Sequence, residues 1–223
     1  MAAKVVLRAA QGQSSSRSPS PVLRIPESVR TESLQVTNSH TQEGLDIALD
    51  MMNQGRPDTT ILGMESLAQI TCTEQCQVYS AKQILGGDIG LKLVSIIEEP
   101  IDERAMDHEI MQQKMMKCHG LSILRNSLVA LEASGDVEKT LSASPELTRS
   151  TFLVSLVDLL AKFTRCPHAA CKASRILQVL IAAGPSCCKS RAENLHAAVD
   201  QALSCRHANL ESECQKLRKQ LLQ

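Results

Sequence analysis

Only three aromatic side chains, Tyr79, Phe152 and Phe163, are available to a chain of 223 residues, and tryptophan is missing altogether. Yet 43% of the residues are hydrophobic. Any core must be assembled from Leu, Ile, Val, Met and Ala. Leu, Met and Ala lose little rotamer freedom in a helix. Strands favour aromatic and β-branched side chains, which are sparse here. The palette predicts an all-α protein.

Periodicity agrees from Thr41 onward. Leu45, Ala48, Leu49 and Met52 share one helical face, and Gly55 and Pro57 end the run. A second helix starts near Asp58, with Ile61, Met64, Leu67 and Ala68 inward. A third carries Val78, Ala81, Ile84 and Leu85. Gly86-Gly87 is read as its left-handed close. Asp88 is the expected cap of a fourth, with Leu91, Leu93, Val94, Ile96 and Ile97 running to Pro100. Residues 103–133 hold two helices, or one bent at Gly120. Ser144-Pro145 is a helix-start signal. The stretch it opens, Leu147 to Phe163, is apolar nearly all round, as a buried helix would be. Pro167 starts the next and Gly184-Pro185 ends it. Ser190 and Glu193 have capping-box spacing. Leu210, Cys214, Leu217 and Leu221 mark the last helix.

Residues 1–40 differ from the rest. The run Ser14-Ser15-Ser16-Arg17-Ser18-Pro19-Ser20-Pro21 has nothing to bury and predicts a disordered tail. Residues 41–223 form a single helical domain. Ser18 and Ser20 each precede proline, so both are candidate phosphorylation sites. Up to Pro26 there is no acidic residue, while Lys4, Arg8, Arg17 and Arg24 are basic. This bias is shared with cleaved mitochondrial or plastid targeting segments. The leading expectation is cytoplasmic, with the nucleus or an organelle as alternatives.

The formal charge is zero but unevenly spread. Residues 1–40 carry five basic and two acidic groups, residues 41–110 four and thirteen, and residues 111–223 fifteen and nine. An acidic first half and a basic second half can steer partners or stack copies head to tail. The balance is not basic enough to point to nucleic acid. No apolar run is long enough for a membrane span. Nine cysteines, several inside amphipathic helices, are read as free thiols in a reducing compartment.

Two stretches echo each other. Leu67-Ala-Gln-Ile-Thr71 is answered by Leu160-Ala-Lys-Phe-Thr164, and Ala81-Lys-Gln-Ile-Leu85 by Ala173-Ser-Arg-Ile-Leu177, at offsets of 93 and 92 residues. Half of that offset falls in the repeat length of about 40–47 residues of armadillo or HEAT units. Gly63 through Val94 resembles one armadillo unit: helix, helix, glycine turn, then a helix carrying a Leu/Val pair. The chain is thus similar to the armadillo/HEAT-like superfamily. That resemblance implies a short right-handed α-solenoid of helical hairpins over roughly residues 45–222. The stretch 103–143 fits the unit poorly. The groove-lining Asn and Trp of peptide-binding members are missing, so an extended-peptide groove is not expected. An irregular orthogonal helical bundle would need the same apolar stripes and is the alternative architecture.

Catalytic chemistry is sparse. Cys166-Pro-His168-Ala-Ala-Cys171 offers three zinc-type ligands, with Cys187, Cys188 or Cys205 as a fourth. The spacing is not the paired C-x2-C form, and helix-start and core cysteines are the leading reading. Cys118-His119 and Cys205-Arg-His207 place thiols beside imidazoles, but sequence neighbours on a helix point apart. No phosphate-loop, H-E-x-x-H or G-x-S-x-G motif occurs. Met106, Met111, Met115 and Met116 read as a core stripe, with an adaptable binding surface as the alternative. Lys162, Arg165, Lys172, Arg175, Lys189 and Arg191 gather on the second half, a candidate basic edge for an acidic partner segment. The expectation is a non-enzymatic interaction or scaffold module, without metal or cofactor, binding protein through a solenoid groove or that edge. Two alternatives stand: an organelle-targeted protein of the same fold, and a zinc- or thiol-dependent enzyme using Cys166, His168 and Cys171.

Overall fold

The fold was taken from a computed structural model, which describes residues 42–72, 78–162, 166–184, 192–204 and 207–222. The tail with Ser18 and Ser20, and Phe163, Arg165, Cys187, Cys188, Lys189, Ser190, Arg191 and Cys205, lie outside the described residues.

Among the described residues every regular element is a helix. In chain order they are α1 (Gln42–Asn53), α2 (Pro57–Cys72), α3 (Val78–Leu85), α4 (Asp88–Glu98), α5 (Asp107–Ser134) and α6 (Val137–Ala143). A 3-10 turn (Pro145–Thr148) precedes α7 (Ser150–Ala161), α8 (Pro167–Ala183), α9 (Ala192–Leu203) and α10 (Ala208–Leu221). The reading of an all-helical chain therefore stands for these segments. None of the helices is long and apolar enough to cross a membrane, among the described residues.

Helix ends follow local chemistry, with two departures from expectation. Gly55 (φ +73°) and Gly135 (φ +75°) take the left-handed conformation that closes α1 and α5. The Gly135 N–H donates to the carbonyls of Glu132 and Leu131. Gly86-Gly87 does not work this way. Gly87 is extended (φ −131°, ψ −168°) and is the N-cap of α4, because α4 starts immediately and needs an extended entry. Ser144-Pro145 opens the 3-10 turn rather than α7, while the Ser144 hydroxyl donates to Leu85 O at 2.7 Å. That bond moors the turn to the end of α3.

The helices pair and the pairs adjoin. α1 packs on α2, α4 on α5, α7 on α8 and α9 on α10. α2 lies against α5, α5 against α8, and α8 against α10. On the other side α4 lies against α7, and α7 against α9. α3 wedges between α4 and α5. One apolar core runs through all of this, including Met52, Met64, Leu93, Leu124, Leu128, Phe152, Leu156, Ile176, Leu180, Val199 and Leu217. The echoed residues Leu67, Ala81, Ile84, Leu85, Leu160, Ala173, Ile176 and Leu177 are all buried.

Small residues set the close approaches. A Cβ on Gly63 would stand 2.7 Å from Ala48 O and 2.8 Å from Met52 N, so α2 presses directly on the α1 backbone. Ser66, Ser127 and Ser174 are fully buried on α2, α5 and α8. α5 is one helix of 28 residues, undivided at Gly120.

Polar ties then fix neighbours. Gln178, 1% exposed, donates from Nε2 to both Glu213 O and Glu213 Oε2 at 2.9 Å. Its Oε1 accepts from Arg175 Nη1 at 3.0 Å, and Arg175 Nη2 pairs with Glu132 Oε2 at 2.5 Å. This chain links α5, α8 and α10. Burial pushes the Glu213 carboxyl up, but hydrogen bonds from Lys216 and Gln178, with the Lys216 and Arg175 charges, bring it below its ordinary value.

One helix is less buried than its composition predicts. On α7, Phe152, Leu153, Leu156 and Leu160 are buried, but Val154, Val157 and Leu159 are only half-buried. Val154, Val157 and Ala161 line a shallow groove with Asn194, Ala197 and Ala198 of α9.

Candidate functional site

Three places gather the residues that chemistry or recognition would use. The first is the seam where α5 meets α8. Cys118 and His119 stand on α5, and Cys166 is the N-cap residue of α8. Cys166 lies near enough to Cys118 to help raise its thiol pKa. Lys172 Nζ donates to Cys118 O at 3.2 Å, fastening the same corner. Burial pushes the Cys118 thiol up, Cys166 adds to this, and Lys172 opposes it. Burial holds the His119 imidazolium down, with Glu65 opposing and Lys172 reinforcing the effect.

This seam differs from the zinc arrangement considered from sequence. Cys166 lies near Cys118 of another helix. The His168 ring meets the His207 ring edge-on at 5.8 Å. Cys171 is half-buried against the core. Among the described residues no three His, Cys, Asp or Glu side chains converge as metal ligands. Cys187, Cys188 and Cys205, the fourth ligands considered, lie outside the described residues. The nearness of Cys166 to Cys118 was not legible in sequence, because it depends on how α8 docks on α5.

The second place is the candidate basic edge. Lys172 is engaged at Cys118 O, and Arg175 binds Glu132 and Gln178. Neither is a free cation awaiting a partner. Lys162 is exposed and lies near enough to Lys117 to push that ammonium down. Burial is the larger cause, and Glu99 opposes it. Lys117 Nζ donates to Ile97 O at 2.6 Å. Arg165, Lys189 and Arg191 lie outside the described residues.

The third place is the start of α5, and it corrects the reading of the methionines as a core stripe. Met106, Met111 and Met115 are 61%, 56% and 38% exposed; of the four, only Met116 packs on the core. The first half of α5 extends beyond the packing that buries its second half. Its anchors are polar: Gln112 Nε2 donates to Asp58 Oδ1 at 2.8 Å, and Gln113 Oε1 accepts from Asp102 N at 3.0 Å. Met106 N donates to Glu109 Oε2 at 3.0 Å, and Glu109 N to Met106 O at 2.9 Å, capping the helix. Asp102, Glu103 and Asp107 are exposed around the methionines, with Arg104 and Lys114 as the opposing charges. The exposed methionines are thus apolar and polarisable, and they follow closely in sequence on the exposed acids Asp102, Glu103 and Asp107. No protein-family model, no curated protein and no solved structure matches this chain.

Proposed function

We propose that the chain is a non-enzymatic protein-interaction module, built as a short α-solenoid of stacked helix pairs. Its docking surface is the methionine face at the start of α5. The supporting observation for the surface is that Met111 and Met115, one turn apart on α5, and Met106 at its N-cap are exposed, while the second half of the helix is packed among its neighbours. Methionine is flexible and polarisable, and suits surfaces that accept varied apolar partners. Support for the stack comes from the two runs of contact, α2–α5–α8–α10 and α4–α7–α9. In such an array each pair touches only its neighbours, and flanks are left free for binding. The resemblance to armadillo and HEAT units points the same way.

The acidic surroundings select the partner. Residues 41–110 carry thirteen acidic and four basic groups. The fitting occupant is a basic amphipathic helix that lays an apolar stripe on the methionines. This face is preferred over the basic edge, where Lys172 and Arg175 already serve internal contacts.

Methionine ε-methyl NMR tests the reading, using a designed peptide with Leu and Lys on opposite helical faces. The expected result is that the Met106, Met111 and Met115 methyls shift on titration, while those of buried Met51, Met52 and Met64 stay put. Binding should weaken with salt, and Met111→Glu with Met115→Glu should abolish it. Equal binding of an acidic peptide with the same apolar stripe, or shifts elsewhere, would contradict the assignment.

A further inference from the structure

Methionine stands in two kinds of place in this chain. Met51, Met52 and Met64 are 4%, 0% and 0% exposed, buried on α1 and α2. Met116 is half-buried and packs on the core. Met106, Met111 and Met115 are 61%, 56% and 38% exposed. Met111 and Met115 stand one turn apart on α5, and Met106 is its N-cap residue. Sulfur chemistry separates the two sets. A thioether becomes a sulfoxide where an oxidant reaches its sulfur, and the product is a polar, chiral side chain. In a core that change breaks packing. On an exposed face the fold keeps its packing, and what is lost is the apolar character that an incoming partner would use.

We propose that Met106, Met111 and Met115 are a reversible oxidation site, with hydrogen peroxide as the oxidant, and that their sulfoxides switch the docking face off. The switch rests on the reading of that face as the docking surface; the selectivity of oxidation rests on exposure alone. In each event a lone pair of the thioether sulfur attacks one oxygen of the peroxide. The S–O bond forms as the O–O bond breaks. The other oxygen leaves as hydroxide and takes the proton of the transferred oxygen, giving water. Sulfur loses two electrons and the peroxide gains them. Methionine sulfoxide reductases, one for each sulfoxide epimer, return the thioether. A helix laying leucines on the oxidised face would strip water from the S=O groups, and an apolar stripe offers them no donor in its place.

The test treats the full chain with hydrogen peroxide in stages and maps each methionine by mass spectrometry. Met115 and Met116 adjoin, so fragmentation between them assigns the oxygen. Met106, Met111 and Met115 should each gain an oxygen roughly tenfold or more faster than Met51, Met52 and Met64. Tm should stay unchanged at that stage. Binding of the designed Leu and Lys peptide should weaken roughly tenfold or more. Cys72 is an exposed thiol that peroxide also attacks, so binding is measured again after dithiothreitol, which returns reversible thiol products but not sulfoxides. The loss should persist through dithiothreitol, and the two reductases should restore binding. Equal oxidation of exposed and buried methionines would overturn the site. Undiminished binding by the sulfoxide form would overturn the switch while the docking surface stands. A loss that dithiothreitol reverses would assign the effect to cysteine and overturn the switch as well. An untreated chain that never binds the peptide would refute the docking surface, and the switch with it, whereas the oxidation map still decides the site.

Discussion

Single atoms decide how tightly neighbouring helices meet. Gly63 and Gly120 both sit inside helices, where glycine costs about 1 kcal/mol relative to alanine. Their surroundings give opposite signs on substitution. At Gly63 a methyl would meet Ala48 O at 2.7 Å, a backbone atom that cannot turn aside. At Gly120 it would meet Met64 Cε at 3.4 Å and Ile97 Cγ1 at 3.6 Å, ordinary contact with side chains that can yield. Gly63→Ala should therefore lose about 1–3 kcal/mol as α1 is pushed away. Gly120→Ala should gain up to about 1 kcal/mol. Urea denaturation of the two variants checks both signs. His119 adds a pH effect. Its imidazolium is disfavoured in the fold, mainly by burial, so the unfolded chain binds that proton more readily. Stability should rise with pH toward roughly 6.5, the unfolded value, and level off above it. The loss appears on acidification. In His119→Gln the pH dependence of the urea midpoint should be flatter below that pH; an unchanged slope would remove His119 from the account.

Elements were legible to the extent that their own residues determine them. The faces of α1, α2 and α8 follow from apolar spacing, and Leu45, Met64, Leu67, Ile176 and Leu180 are buried as read. Leu121, Leu124, Leu128 and Leu131 likewise mark the buried second half of α5. The first half has similar spacing, but among the described residues Met111 and Met115 are exposed. Periodicity reports that a stripe exists, not that something lies over it. Leu91, part of the apolar run of α4, is 46% exposed. The short α6 escaped notice because its buried set, Val137, Thr140 and Leu141, spans barely one turn. Of the candidate site, the methionine cluster was visible as composition, while its exposure was not. The engagement of Lys172 and Arg175 and the nearness of Cys166 to Cys118 depend on which helices adjoin, information held in no local window.

At the scale of the whole molecule, the proposed solenoid is an array of helix pairs that pack chiefly on adjacent pairs. Such an array differs in its energetics from a single bundle around one shared centre. Interior pairs have two interfaces and end pairs have one, so opening should begin at the ends. Among the described residues α5 packs on α2, α3, α4 and α8, and α8 on α5, α7 and α10, whereas α10 is held chiefly by α8 and α9, and α1 chiefly by α2. Native-state hydrogen exchange across a gradient of denaturant measures this most directly. The stacked arrangement predicts that amides of α1, α9 and α10 open at lower free energy than those of α5 and α8, with α5 the last to open. A single opening free energy shared by every helix would contradict it.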